Sequence, residues 1–115
     1  MMARLLFAVV LMVVSALFLW QFPPSAAPAI PHFDKLVHVS LFFILAACLH
    51  YAFALPHWLA FLLLLGYGVV IELVQGLTPS RSADGWDVLA DAAGALSYYL
   101  LFACAKQVKR RVNGA

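Results

Sequence analysis

Polar side chains that could do chemistry recur at helical spacing in three apolar stretches of this sequence. Asp34 and His38 are four residues apart, so both would lie on one face of a helix. The same holds for Glu72 and Gln75, which are three residues apart. A third face would carry Asp84, Asp87 and Asp91. Arg81 lies in the segment between the last two groups, so acids, one imidazole and one guanidinium are expected to meet at one end of a helical bundle.

The histidine is the most informative of these residues. An imidazole gains and loses its proton near neutral pH, and the Asp34 carboxylate, one helical turn away, would orient the ring of His38. Such a pair, with further acids opposite, can perform general acid–base catalysis. It could also ligate a metal ion together with Glu72 or Asp87. The sequence contains neither HExxH nor CxxC nor another strong metal-ligand spacing, so a metal site is not the favoured interpretation.

A structural role is the alternative for each polar residue taken alone. The aspartates at the start of the fourth helix would cap it and favour its positive N-terminal dipole. Arg81 and Glu72 would form an ion pair, and Gln75 and Asp91 would hydrogen-bond between helices. Capping does not need His38, however, and interhelical bonding does not need five acids. The whole set on one side therefore favours a functional site.

The composition indicates the environment of these residues. Of 115 residues, 66% are hydrophobic and 10% are charged, whereas a soluble domain is about half apolar and about a quarter charged. This excludes an ordinary soluble enzyme and a disordered chain, and it predicts a membrane protein. A net charge of +2 is too small and dispersed for a nucleic-acid partner. Cys48 and Cys104 lie in apolar runs without a disulfide pattern, and with His50 and His57 they match no metal-binding template.

Four apolar runs are long enough to cross a bilayer, which takes about 20 residues. They cover residues 5–22, 33–55, 58–75 and 84–106. We therefore predict an all-α, polytopic membrane protein with four transmembrane helices in a single domain, 1–115. Pro56 leaves only a short turn between the second and third runs, which predicts an antiparallel hairpin. A cleaved signal peptide is the alternative for the first run, but the run is long for a signal, so we expect the helix to be retained.

The charges at the ends of the spans predict the orientation. Arg4 precedes the first span, and the fourth is followed by Lys106, Lys109, Arg110 and Arg111. By the positive-inside rule, and because the number of spans is even, both termini are expected in the cytoplasm. All five acids then lie at extracytoplasmic ends of spans, so the polar site would open on that side.

Small residues crowd one stretch of the fourth span. The stretch contains Ala90, Ala92, Ala93, Gly94, Ala95 and Ser97. Small side chains allow helix backbones in a membrane to approach closely. We expect Gly66 and Gly68 of the third span to receive this approach.

Taken in order, the motifs resemble those of VanZ-like membrane proteins. Residues 34–38 resemble the D-K-x-x-H that opens the family's second helix, and residues 72–75 resemble the E-x-x-Q that ends its third. Residues 81–94 resemble its R…D-x-x-x-N/D-x-x-G element. Asp91 stands where Asn is more usual, and Tyr98 stands where a glycine is frequent. The first span carries no signature.

The resemblance implies a four-helix, multi-pass protein of the bacterial inner membrane, in a family named after a member linked to teicoplanin resistance. It also implies that the polar residues of the three motifs form one site. The catalytic candidates are Asp34, His38, Glu72 and Asp87. The ligand-binding candidates are Gln75, Arg81, Asp84 and Asp91.

Three functions fit such a site: ligand binding or modulation, catalysis and transport. Binding or modulation is favoured because the sequence matches no catalytic template. A binding or modulating protein would engage an envelope lipid or a glycopeptide-like ligand. A membrane enzyme would act on a lipid-linked substrate, with His38 as acid/base and Arg81 holding an anion. A proton- or cation-coupled carrier would need an oligomer, and the oligomeric state stays open. No cofactor is expected, although a phosphorylated ligand beside five acids would require a divalent cation.

Overall fold

A computed structural model describes residues 1–19, 33–77 and 85–114, with residues 33 and 34 as backbone only. These residues form four α-helices and no strand. The helices are α1 (Met2–Leu19), α2 (Phe33–Ala52), α3 (His57–Gly76) and α4 (Gly85–Gly114). Each is long and apolar enough to cross a membrane, which confirms the expected all-α fold with four candidate spans.

The ends of the helices follow from local sequence. Pro56 caps α3, since its carbonyl accepts a hydrogen bond from the Ala60 amide (3.0 Å) while its own ring supplies no N–H. The connection from Ala52 to α3 is short, so α2 and α3 form the expected hairpin. The predicted end of the fourth helix at Lys106 is wrong, because α4 continues to Gly114. Lysine, glutamine and arginine are good helix formers, and neither glycine nor proline interrupts residues 95–113.

The other three helices pack around α2. Its largest interface is with α4, and it also contacts α1 and α3. Within the described residues the backbones of α1 and α4 do not approach each other closely, so the two helices occupy opposite corners of the bundle. The centre of the core lies on α2, where Phe42, Leu45 and Ala46 have no solvent-exposed surface.

Two glycines set the closest helix approaches. A Cβ built on Gly94 of α4 would overlap the Val39 carbonyl oxygen of α2 and lie 3.0 Å from the Val39 carbonyl carbon. A Cβ on Gly68 of α3 would lie 2.8 Å from Asp91 Oδ2. A Cβ on Gly66 would meet nothing within 4 Å. The expected crossing of α4 on α3 therefore holds at Gly68 and is wrong at Gly66, while the tightest backbone contact is to α2.

The outward face of the bundle is apolar. Large exposed side chains on the four helices include Leu6, Ile44, Leu62 and Leu100. The buried polar side chains, in contrast, lie in the interior of the bundle; they are His38, Glu72, Gln75, Asp87 and Asp91. This distribution suits a hydrocarbon solvent, in which apolar side chains face lipid and polar side chains face the bundle interior.

Candidate functional site

His38 lies at the centre of a buried polar cluster between α2 and α4. Its Nδ1 donates a hydrogen bond of 2.6 Å to Asp91 Oδ1, and its Nε2 lies 3.9 Å from Asp87 Oδ2. The Phe18 ring of α1 stacks on the imidazole with the ring centres 4.4 Å apart. Only 4% of His38 is exposed. One carboxylate thus hydrogen-bonds the imidazole, a second carboxylate lies near it, and an aromatic ring covers one of its faces.

Asp91 is the most deeply buried acid of the cluster, with 1% exposure. Its Oδ1 accepts from His38, whereas its Oδ2 has no hydrogen-bond partner among the described residues. That second oxygen lies against Gly68, where any side chain would displace it. A buried carboxylate oxygen without a donor is costly, so this position calls for a proton, a water molecule or a ligand.

Lys35 and Asp87 form a second charged pair beside the first. The Lys35 ammonium lies 2.8 Å from Asp87 Oδ1 and is about a quarter exposed. Lys35 and His38 are three residues apart on α2, while Asp87 and Asp91 are four apart on α4. The two helices therefore present matching faces that pair residue by residue. Lys35 is absent from the candidates derived from the sequence, although its spacing from His38 could have indicated it.

The α3 candidates lie at the same end of the bundle. Gln75 is 2% exposed and its amide donates a 2.6 Å hydrogen bond to the Phe18 carbonyl of α1. Glu72 is buried and lies within electrostatic range of His38. Gln75 therefore joins α3 to α1, which also supplies the ring that covers His38. The first helix contributes to the site although its sequence carries no signature.

Three of the eight candidates cannot be placed. Arg81, Asp84 and the side chain of Asp34 lie outside the described residues. The predicted orientation of His38 by Asp34, and the predicted ion pair of Arg81 with Glu72, therefore stay predictions. The carboxylate that holds the imidazole in the described part of the chain is Asp91.

The charges of the described cluster are unequal. Three buried acids, Glu72, Asp87 and Asp91, face one lysine and one histidine. Within residues 1–19, 33–77 and 85–114, no three His, Cys, Asp or Glu side chains are grouped to hold a metal ion. The described geometry can hold or move a proton between an imidazole and a carboxylate, and it can accept hydrogen bonds from a ligand.

His50 and His57 form an aromatic cluster at the opposite end of the bundle. His50 Nδ1 and the Tyr98 hydroxyl are 2.7 Å apart, and the His57 ring lies 5.0 Å from the Tyr99 ring. Phe102 packs edge-on against both imidazoles. The tyrosine at position 98, where the resemblance leads one to expect glycine, thus has a partner on α2.

The comparison with protein families decides the relationship. A family model described as VanZ/LLP1 matches residues 3–106. The chain belongs to the VanZ/LLP1 family. The suspected VanZ-like membership is confirmed, and the match includes the first helix. No curated protein and no solved structure matches the chain.

The fold explains what the residues of the three VanZ-like motifs do. The D-K-x-x-H motif supplies Lys35 and His38, and the D-x-x-G motif supplies Asp91 with Gly94. The glycine allows the α2 backbone to approach, and this brings the aspartate within reach of the histidine. The E-x-x-Q motif supplies the amide that binds α1. The chain is a multi-pass membrane protein of this family.

Proposed function

We propose that this VanZ-family chain is one domain, residues 1–115, in the inner membrane of a bacterium, with both termini in the cytoplasm. Basic residues flank the set of four spans, with Arg4 before the first span and a basic segment that begins at Lys106 after the fourth. An even number of spans returns the chain to the side on which it started. The polar cluster then lies at the extracytoplasmic end of the bundle. A ligand would reach it from the outer leaflet or from the periplasmic side.

The function that the site supports best is binding or modulation of an envelope lipid or a glycopeptide-like ligand. The supporting observation is the buried cluster around His38 and Asp91, which includes a carboxylate oxygen that receives no hydrogen bond from any described residue. Ionisable groups at membrane depth cost several kcal/mol and are usually functional. The proposed ligand site comprises Asp34, His38, Glu72, Gln75, Arg81, Asp84, Asp87 and Asp91. The association with antibiotic resistance comes with the family name.

Ligand-induced stabilisation of the full chain tests this proposal. The chain in nanodiscs is titrated with teicoplanin and, separately, with a polyprenyl-diphosphate-linked sugar, and the melting temperature is followed. At a ligand concentration about 100-fold above Kd, binding raises the free energy of unfolding by about 2.7 kcal/mol. Saturable stabilisation by either probe is expected, and its absence for both would contradict the proposal.

A pair of histidine variants locates the binding. His38→Gln changes the centre of the cluster, whereas His57→Gln changes an exposed imidazole at the opposite end. The loss of one buried charge-assisted hydrogen bond to the ligand weakens the binding free energy by about 1.5–3 kcal/mol, which lowers the affinity roughly tenfold or more. We expect that loss for His38→Gln alone. Equal affinities of the two variants would exclude the cluster as the binding site.

A membrane enzyme acting on a lipid-linked envelope substrate is the second candidate, and the His38–Asp91 hydrogen bond favours it. A carboxylate on Nδ1 fixes the tautomer of an imidazole and leaves Nε2 to exchange protons with a substrate. His38 would then be the general acid/base, with Asp91 as its positioning residue. A phosphorylated substrate would need a divalent cation beside these acids. Turnover that is lost in His38→Gln and, for a phosphorylated lipid, in chelator would establish this activity.

A further inference from the structure

The last turns of α4 extend beyond the bundle. Residues 103–114 are all exposed, and none of the other described helices covers them. At about 1.5 Å per residue, the helix rises about 28 Å between Asp87 and Lys106, close to the roughly 30 Å thickness of the hydrocarbon core. If Asp87 lies near one edge of that core, Lys106 lies near the other. The turns after Lys106 therefore enter the headgroup layer.

Basic residues concentrate in these turns. They are Lys106, Lys109, Arg110 and Arg111. Along the axis they span about 8 Å, which matches the thickness of one headgroup layer. The nearest acid on α4 is Asp91, about four turns earlier. No carboxylate of α4 therefore lies close enough to neutralise the four charges.

An apolar stripe accompanies the basic residues. Val108 and Val112 are 60% and 69% exposed, and they continue the exposed face that begins at Leu101. Their spacings of seven and four residues keep all three on one side of the helix. Lys106 and Arg110 lie on the other side. Such an amphipathic end suits the boundary between acyl chains and phosphates.

We propose that residues 106–112 of α4 bind anionic phospholipid headgroups in the leaflet that surrounds the C-terminal end of the bundle. The position at headgroup depth and the charge complementarity favour this partner. A second copy of the chain would place an identical group of four cations against the first, which opposes pairing through this surface. The inference does not depend on the ligand of the acidic cluster at the other end.

Lipid selectivity of the full chain tests the inference. The detergent-solubilised chain is titrated with phosphatidylglycerol and with phosphatidylcholine, and retained lipid is counted by native mass spectrometry. One basic residue near an anionic surface is worth roughly fivefold in binding, so we expect at least about a tenfold preference for phosphatidylglycerol. The preference should weaken as salt increases. Equal retention of the two lipids would overturn the inference.

Two matched variants separate charge from helix structure. The variant K106Q/K109Q/R110Q/R111Q removes all four charges, and K106R/K109R retains them. We expect the first to retain both lipids equally and the second to keep the preference, with both equally helical by circular dichroism. A preference that survives removal of the charges would overturn the inference. A dimer cross-linked through positions 108 and 112 would also overturn the inference, if it forms equally well in either lipid and prevents both lipids from binding.

Discussion

Replacement of Gly94 by alanine should separate α2 from α4. The three atoms nearest to the new Cβ all belong to the Val39 backbone: its carbonyl oxygen, its carbonyl carbon and its Cα. Backbone atoms cannot rotate away as the end of a flexible side chain can. The two helices must therefore move apart at the largest interface of the bundle.

The size of the effect follows from two opposing contributions. Overpacking a tight core costs about 1–3 kcal/mol, and a clash with backbone belongs at the upper end of that range. Alanine in place of glycine within a helix returns about 0.5–1 kcal/mol. We therefore expect Gly94→Ala to lower the free energy of unfolding by about 2 kcal/mol. Separation of the helices should also lengthen the His38–Asp91 hydrogen bond.

Gly66→Ala is the matched control, since its Cβ would meet nothing within 4 Å. Only the helix-propensity gain of about 0.5–1 kcal/mol applies there, so this variant should be as stable as the wild type or slightly more stable. Equilibrium unfolding in mixed detergent–SDS micelles, followed by circular dichroism, measures both. A Gly94→Ala chain as stable as the wild type, or an equal loss in Gly66→Ala, would refute the packing argument.

Two further predictions concern buried hydrogen bonds. A double-mutant cycle of His38→Ala and Asp91→Ala should give a favourable coupling of about 0.5–2 kcal/mol in the free energy of unfolding, because the two side chains bond to each other; strictly additive effects would contradict that bond. Ser15 and Tyr67 join α1 to α3 through hydroxyls 2.5 Å apart. Tyr67→Phe should lower stability by about 0.6–1.7 kcal/mol, and Ser15→Ala should then add little to it; full additivity would argue against the contact.

Much of the fold could be predicted because the relevant signals are local. Four apolar runs of sufficient length, two of them ended by prolines, predicted four membrane-spanning helices, and the described residues form four helices of that kind. Helical spacing also placed His38 on the same face of the second span as Asp34, and Asp87 on the same face of the fourth span as Asp91. The extension of α4 to Gly114 was missed because the apolar run ends near Lys106, although the helix-forming sequence does not.

The neighbour relationships between helices could not be predicted in the same way. The sequence did not predict that His38 pairs with Asp91, and it pointed to Gly66 as a crossing point that the structure leaves uncovered. Which helices touch depends on how small residues on different spans fit together. Spacing along one helix carries no information about that fit.

The sequence by itself determined the membrane environment, the four helices and the polar residues at one end, since each depends on composition or on periodicity within one segment. The tertiary structure decided which of these residues meet. Close contact at Gly94 brings α4 onto α2, and this aligns two acids with Lys35 and His38. Phe18 of α1 then covers the imidazole. The physical reason is that steric fit between helices, rather than any local preference, selects the partners of a buried charge.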